Sequence, residues 1–178
     1  MNVALIGYRG TGKTTVAKLL ADRLGWTVVD TDDLIELRAG KSIRRIFDED
    51  GEIRFRDLEV DVIRQAVQSP QQVLALGGGA VLREETRQIL SACKVVWLQA
   101  DAQTLAARIS GDPVSGNRRP DLTTAGGFAE IQQLLAQRQP VYQETADYSV
   151  DTLKKSPEQL ADEIVSLLRD RQVGEEDD

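Results

Sequence analysis

Gly7-Tyr8-Arg9-Gly10-Thr11-Gly12-Lys13-Thr14 follows the apolar run Val3-Ala4-Leu5-Ile6 and precedes a stretch in which Val16, Leu19, Leu20 and Leu24 recur at helical spacing. A strand, a glycine-rich turn and a helix in that order, spaced G-x-x-x-x-G-K-[ST], make a phosphate cradle. The glycines let backbone N–H groups turn inward onto phosphate oxygens, and the helix N-terminus adds the positive end of its dipole. Lys13 is then placed to bridge the β- and γ-phosphates of a nucleotide, and the Thr14 hydroxyl to ligate Mg2+. Gly10, Thr11, Gly12 and Thr15 complete the expected nucleotide contacts. The chain carries no Asn-Lys-x-Asp guanine signature, so ATP is the expected nucleotide.

Working outward, short apolar runs alternate with helical patterns, as in a parallel sheet covered on both faces. Residues 27–29, 73–76, 95–98 and 148–150 read as further strands. Helices are predicted over 14–24 with Gly25 as its stop, 42–49 with Ser42 as N-cap, 52–67, 83–92, and from an Asp101 cap to about 109. Residues 110–127 are rich in Gly, Pro, Ser, Thr and Asn around Arg118-Arg119, the texture of a lid or binding loop. A helix over 128–139 is expected to stop before Pro140. Ser156-Pro157-Glu158-Gln159 carries the marks of a helix start, and Leu160, Ile164, Leu167 and Leu168 line one face of the last helix. The expected fold class is therefore α/β, a parallel sheet between helical layers, in one domain over 1–172 with an acidic tail over 173–178.

Composition excludes more than it selects. The 178 residues include 22 Lys+Arg and 29 Asp+Glu, a net charge of −7, of which four negative charges belong to Glu175–Asp178. Such a balance argues against a general nucleic-acid binder, so phosphate must be met by a local basic cluster. There is no histidine and one cysteine. Ser-His-Asp triads, Cys-His pairs, His-ligated zinc and intramolecular disulfides are all excluded within this chain. Cys93, beside Val95 and Val96, reads as a buried, inert thiol. With no charged leader and no apolar run near the about 18 residues that span a bilayer, a soluble cytoplasmic protein without membrane partners is expected.

Three further groups carry chemistry. Where a carboxylate would commonly end the strand beside the phosphate loop, the third strand runs into Gly77-Gly78-Gly79, which is expected to leave backbone N–H groups uncovered at the ligand-binding rim. Asp30-x-Asp32 closes the second strand on the same rim. Asp30 is placed to contact Mg2+ through water, and Asp32 to accept a hydroxyl proton, since no histidine is present to do so; as alternatives these aspartates cap the next helix, and Asp33 is expected to do only that. Arg56 and Glu59 share one helix face by their spacing, which read alone is an ordinary surface ion pair.

Taken together, Gly10-Thr11-Gly12-Lys13-Thr14-Thr15, Asp30-Thr31-Asp32, Ile46-Phe47, Gly51-Glu52 with Phe55-Arg56, Gly77-Gly78-Gly79-Ala80, Arg119-Pro120, Arg138 with Pro140 and Tyr142, and Val150-Asp151-Thr152 resemble the shikimate kinase family along nearly the whole chain. The resemblance implies a five-stranded parallel sheet of the nucleoside monophosphate kinase type, a helical acceptor region over about 32–67, and a mobile lid over about 110–127. It implies transfer of the ATP γ-phosphate to the 3-hydroxyl of shikimate, with Mg2+ as cofactor, by an enzyme expected to be monomeric. By matched position, Asp32, Arg56, Gly77, Gly78, Gly79 and Arg138 would hold shikimate and Glu59 would orient Arg56. Arg119 would close with the lid onto the transferring phosphate, and Arg108 and Lys155 would flank adenine. The competing readings are another small-molecule kinase on the same scaffold, such as a gluconate-type sugar-acid kinase, and a nucleotide-binding regulatory protein without catalysis.

Overall fold

The computed structural model describes residues 1–111 and 127–170. Most of the expected lid over 110–127, with Arg118, Arg119 and Pro120, and the expected tail over 173–178 lie outside the described residues.

Five parallel strands form one sheet in the order β2-β3-β1-β4-β5: β1 Val3–Ile6, β2 Thr27–Asp30, β3 Gln72–Ala75, β4 Lys94–Gln99 and β5 Tyr148–Asp151. Register aligns Leu5 with Ala75 and Ala75 with Asp30, so three strand ends reach one rim side by side. The phosphate loop leaves the central strand β1 at that rim, where ligands dock in open α/β sheets.

Side-chain alternation splits the core into two layers. Val3, Leu5, Val73, Ala75, Val96, Leu98 and Val150 face α1 (Lys13–Leu24) and α7 (Pro157–Asp170), where Val16, Leu20, Leu160 and Ile164 are completely buried or nearly so. Ala4, Ile6, Leu74, Leu76, Val95 and Trp97 face the other way, onto Ile63 of α3 (Ile43–Ala66), Leu90 of α4 (Glu84–Leu90), and Tyr142 of α6 (Gly127–Thr145). Cys93 is buried in this second layer, and burial pushes its thiol up from the ordinary value, as an inert thiol requires. Two satellite clusters frame the site. Ile35, Ile43, Ile46, Phe55, Leu58 and Val62 form a small core of their own, joining α2 (Thr31–Ala39) to α3. Tyr8 of the phosphate loop packs with Leu105 of α5 (Ala102–Gly111) and with Ile131 and Leu134 of α6.

Most predicted boundaries hold to within a residue or two, for local reasons. Gly25 ends α1 in the left-handed conformation at φ 67°. The predicted helices 42–49 and 52–67 are two helical segments of α3 that meet at a kink at Gly51, whose φ of 82° and ψ of 169° lie outside helical space. Ser42 caps the first part by accepting from the Arg45 N–H at 3.3 Å. Ser156 and Gln159 form the reciprocal capping box, at 2.8 and 3.3 Å. Three readings are corrected. Helix α2 follows β2 directly, where the sequence pattern predicts no helix between the strand's acidic end and residue 42. A short 3-10 turn, Ala80–Leu82, precedes α4. Helix α6 does not stop at Pro140 but runs through it to Thr145. Proline in a helix interior forfeits one backbone hydrogen bond and costs about 3 kcal/mol, yet Arg138, Tyr142 and Leu134 are buried on both sides of it. Packing along the whole length therefore overrides the local penalty.

Candidate active site

Glycines at positive φ build the phosphate loop: Gly7 at 136°, Gly10 at 84° and Gly12 at 89°. At Gly7 the freedom is obligatory twice over, because a Cβ would also lie 2.5 Å from the Leu98 carbonyl oxygen. Lys13 is buried and turned back over the loop, its Nζ donating to the Gly7 and Tyr8 carbonyls, both at 2.8 Å. Thr11 is buried within the loop, its hydroxyl donating to the Tyr8 carbonyl at 2.9 Å. Thr14 and Thr15 stand exposed in the first turn of α1.

Thr14 Oγ1 donates to Asp30 Oδ2 at 2.8 Å, while Asp30 Oδ1 accepts from the Asp32 N–H at 3.0 Å. Of the two roles weighed for it, Asp30 thus takes that of the α2 cap, and its other carboxylate oxygen faces the phosphate loop through Thr14. Asp33 is not the cap; it stands with Asp32 in the first turn, where the helix dipole favours carboxylates. Burial raises the Asp30 carboxyl above its ordinary value, and the neighbouring Asp32 and Asp33 charges act in the same direction against the Thr14 hydrogen bond. A half-buried carboxylate beside an exposed hydroxyl, both hard oxygen donors at the mouth of a phosphate loop, fits Mg2+ held jointly by protein and phosphate. Thr31, between the two aspartates, is fully buried; its hydroxyl donates to the Ala75 carbonyl at 3.2 Å and accepts from the Gly77 N–H at 3.3 Å. The Gly77 N–H is therefore not uncovered, contrary to the expectation. The Asp-Thr-Asp run by itself implies no role for Thr31, because nothing in its neighbours signals a partner on another strand.

The glycine triplet is a packing junction. A Cβ at Gly78 would sit 3.2 Å from the Arg9 nitrogen and 3.4 Å from the Gly7 oxygen, and the Gly78 carbonyl accepts from the Tyr142 hydroxyl. A Cβ at Gly79 would sit 2.5 Å from Arg56 Nη2. Gly78 thus touches the phosphate loop and Gly79 the Arg56 guanidinium. Arg56 and Glu59 are no surface pair: their side chains are 6% and 1% exposed, joined at 2.6 Å from Nη1 to Glu59 Oε2. Glu52, on the preceding turn, accepts from Nε and Nη2 at 3.4 and 3.3 Å. A guanidinium fixed this firmly offers a preformed fork to a carboxylate.

Arg138 is also buried, with its guanidinium carbon 5.5 Å from the centre of the Tyr8 ring. Arg108 spans α5 to the loop after β5, donating to Thr152 Oγ1 at 3.0 Å, to the Thr152 carbonyl at 3.2 Å, and to the Gly10 carbonyl at 3.5 Å. Lys155 instead turns toward α7, pairing with Glu163 at 2.6 Å. The structure thereby links Lys13, Thr14, Asp30, Asp32, Arg56, Glu59, the glycine triplet and Arg138 through the phosphate loop and the strand ends beside it. Arg119 lies outside the described residues.

A family model described as shikimate kinase matches residues 9–169. A shikimate kinase of Rhodopirellula baltica is 43% identical over 162 residues, covering 90% of this chain and 87% of the relative. One of Thermobifida fusca is 44% identical over 164 residues, covering 92% of each. Among solved structures, a shikimate kinase from Acinetobacter baumannii in complex with shikimate superposes with a TM-score of 0.89 at 33% identity, covering 96% of this chain and 93% of that one. A phosphate loop, an acidic strand end and a buried arginine behind three glycines are here set in a matching fold and sequence, and this chain belongs to the shikimate kinase family.

Proposed function

We infer that this chain transfers the γ-phosphate of ATP to the 3-hydroxyl of shikimate, giving shikimate 3-phosphate and ADP, a step toward chorismate. The observation that carries this reading beyond a generic kinase is the glycine junction. Gly78 lies against the loop that takes triphosphate and Gly79 against a buried, Glu59-held arginine suited to a carboxylate, so donor and acceptor subsites stand one residue apart.

Lys13 turns from the loop carbonyls to the β- and γ-phosphates, with Gly10, Thr11, Gly12, Thr14 and Thr15 around them, and Arg108 lies beside the base. Arg56 and Arg138 hold the acceptor carboxylate, and Asp32 accepts hydrogen bonds from its hydroxyls. The acceptor oxygen bonds to the γ-phosphorus as the bond to the β-phosphate oxygen breaks; the hydroxyl proton passes to Asp32, and ADP departs. Thr14 and Asp30 would hold Mg2+, which when bound neutralises developing phosphate charge. Arg119 would close from the lid and exclude water. Lys155 supports an adenine-flanking role less well than Arg108, because its charge is paired with Glu163. No helix among the described residues is long and apolar enough to cross a membrane; a cytoplasmic monomer acting on small molecules is the reading proposed.

A coupled ADP-release assay comparing shikimate, gluconate and nucleoside monophosphates at equal ATP tests the acceptor. Turnover with shikimate alone is expected, and turnover only with gluconate or a nucleotide overturns the assignment. ATP binding with no transfer to any acceptor would favour the regulatory reading. Asp32→Ala should abolish turnover while retaining ATP binding by calorimetry; loss of ATP binding in the folded variant would contradict the role given to Asp32.

A further inference from the structure

Tyr8 occupies a variable position of the phosphate-loop pattern, where the spacing rule demands no particular residue. In this chain it is one of the largest fully buried side chains, 2% exposed, and it points away from the phosphate cradle into α5 and α6. Its backbone carbonyl holds Lys13 and Thr11. Its ring supports the Arg138 guanidinium at 5.5 Å. The Arg138 Nε is buried with no hydrogen-bond partner among the described residues, and the aromatic face lies against the same head group. Around the ring, Arg9 lies 3.8 Å from Glu130, a carboxylate only 1% exposed in the first turn of α6. The positive charges of Arg9 and Arg138 and the negative charge of Glu130 all act on the Tyr8 hydroxyl.

We propose that Tyr8 is a positioning residue that ties the acceptor subsite to the phosphate loop, its ring face seating Arg138 while its backbone shapes the donor cradle. The proposal rests on the reading that Arg138 holds the acceptor carboxylate. A cation over an aromatic face is attracted by the ring quadrupole, more strongly when both are desolvated. Seated this way, Arg138 is held over the ring although its Nε–H donates to no described residue, and its terminal nitrogens remain directed by the ring plane. The Arg9–Glu130 pair anchors the start of α6 to the same loop, so the helix bearing Arg138 and the phosphate cradle move as one body. Any shift of the loop on taking triphosphate is passed to the acceptor arginine through one ring.

The test compares the full chain carrying Tyr8→Phe, Tyr8→Leu or pentafluorophenylalanine at position 8, the last keeping the ring's shape while cancelling the negative potential of its face. Steady-state kinetics with shikimate and ATP each varied, together with melting temperature, read the outcome. Tyr8→Phe is expected within about twofold of the original chain in every constant. Tyr8→Leu and the fluorinated ring are expected to raise the shikimate KM about five- to tenfold, with kcat and the ATP KM altered less than about twofold. On an Arg138→Ala background, neither should raise it further. A fluorinated variant with an unchanged shikimate KM overturns the proposal, as does an equal rise in both KM values, which would mark damage to the loop alone. Should Tyr8→Leu prove too unstable to assay, the fluorinated ring decides by itself. The underlying reading fails separately: it falls if the unaltered chain does not phosphorylate shikimate or if Arg138→Ala leaves the shikimate KM unchanged.

Discussion

Gly79→Ala adds one methyl group at the junction between the two subsites, and its consequence can be worked from distances. The Gly79 backbone lies at φ −108° and ψ 1°, a region alanine can occupy, so the main chain resists little. Restricting the unfolded chain would even stabilise the fold by about 0.4–1 kcal/mol if nothing stood in the way. What stands in the way is Arg56: the new Cβ would lie 2.5 Å from Nη2 and 2.8 Å from both Cζ and Nη1. Restoring ordinary van der Waals contact moves the guanidinium by about 1 Å. It cannot move without loosening the 2.6 Å bond to Glu59, whose carboxylate is 1% exposed. A charge-assisted hydrogen bond contributes about 1.5–3 kcal/mol, so the shikimate KM should rise about 10- to 100-fold with the ATP KM nearly unchanged. Gly78→Ala makes the matched contrast, because its Cβ would press on the Arg9 nitrogen at 3.2 Å and the Gly7 oxygen at 3.4 Å. That variant should weaken ATP instead. Initial rates with each substrate varied at saturation of the other separate the two, and a cycle with Arg56→Ala adds a second check. The reasoning is refuted if Gly79→Ala raises the ATP KM rather than the shikimate KM, or if its effect adds fully to that of Arg56→Ala.

Glu59→Ala leaves the buried Arg56 guanidinium without its closest counter-charge, a change that costs about 3–5 kcal/mol at other buried pairs; chemical denaturation should show a loss of that order, and a loss below about 1 kcal/mol would mean that Glu52 suffices. Pro140→Ala should restore a backbone bond in α6 and raise the melting temperature, with up to about 3 kcal/mol available from helix propensity; a lowered melting temperature would show that the proline ring is itself needed in the packing. Asp101 accepts from the Thr104 N–H at 2.7 Å as the cap of α5, and that bond holds its carboxyl below the ordinary 3.8. A depressed folded value contributes stability above pH 3.8 and loses it as pH falls through the folded value. The melting temperatures of the original chain and Asp101→Ala should therefore differ at pH 7 and converge under acid; a gap constant with pH would assign the cap's effect to something other than its charge.

Features set by local spacing were legible from the sequence, and those set by distant partners were not. The phosphate loop, the left-handed stop at Gly25, the break at Gly51 and the Ser156–Gln159 box each depend on residues within one turn of one another. Five apolar runs sufficed for five strands because a sheet buried on both faces requires them. Helix α2 is not legible in the sequence because its closely spaced apolar residues, Leu34, Ile35 and Leu37, make no stripe, and Leu37 is exposed. The Arg56–Glu59 pair reads as a surface feature because what lies over it, Gly79 against the guanidinium among others, is on another element. Pro140 ended a helix on paper because its local penalty is visible in sequence, whereas the burial of Tyr142 beyond it is not. The roles of Arg56 and Arg138 came from family resemblance; spacing alone did not distinguish them from solvated charges.

The glycine triplet also accounts for how the carboxylate of the site reaches the phosphate loop. Asp30 ends β2, and β3 lies between β2 and the central strand β1. Register places Asp30 level with Ala75 and Ala75 level with Leu5, so the chain rises past the sheet at the same height on all three strands. From there β3 continues as Gly77-Gly78-Gly79, with no side chain to fill the gap over its end. Asp30 crosses that gap to meet the Thr14 hydroxyl at 2.8 Å, and Thr31 closes the floor beneath it by bonding Ala75 and Gly77. A side chain at Gly79 would occupy the space that Arg56 uses, and a Cβ at Gly78 would press on the phosphate loop. Moving the acid one strand outward leaves the central position bare, and that bareness is what lets a guanidinium for one substrate and a backbone cradle for the other approach the same point.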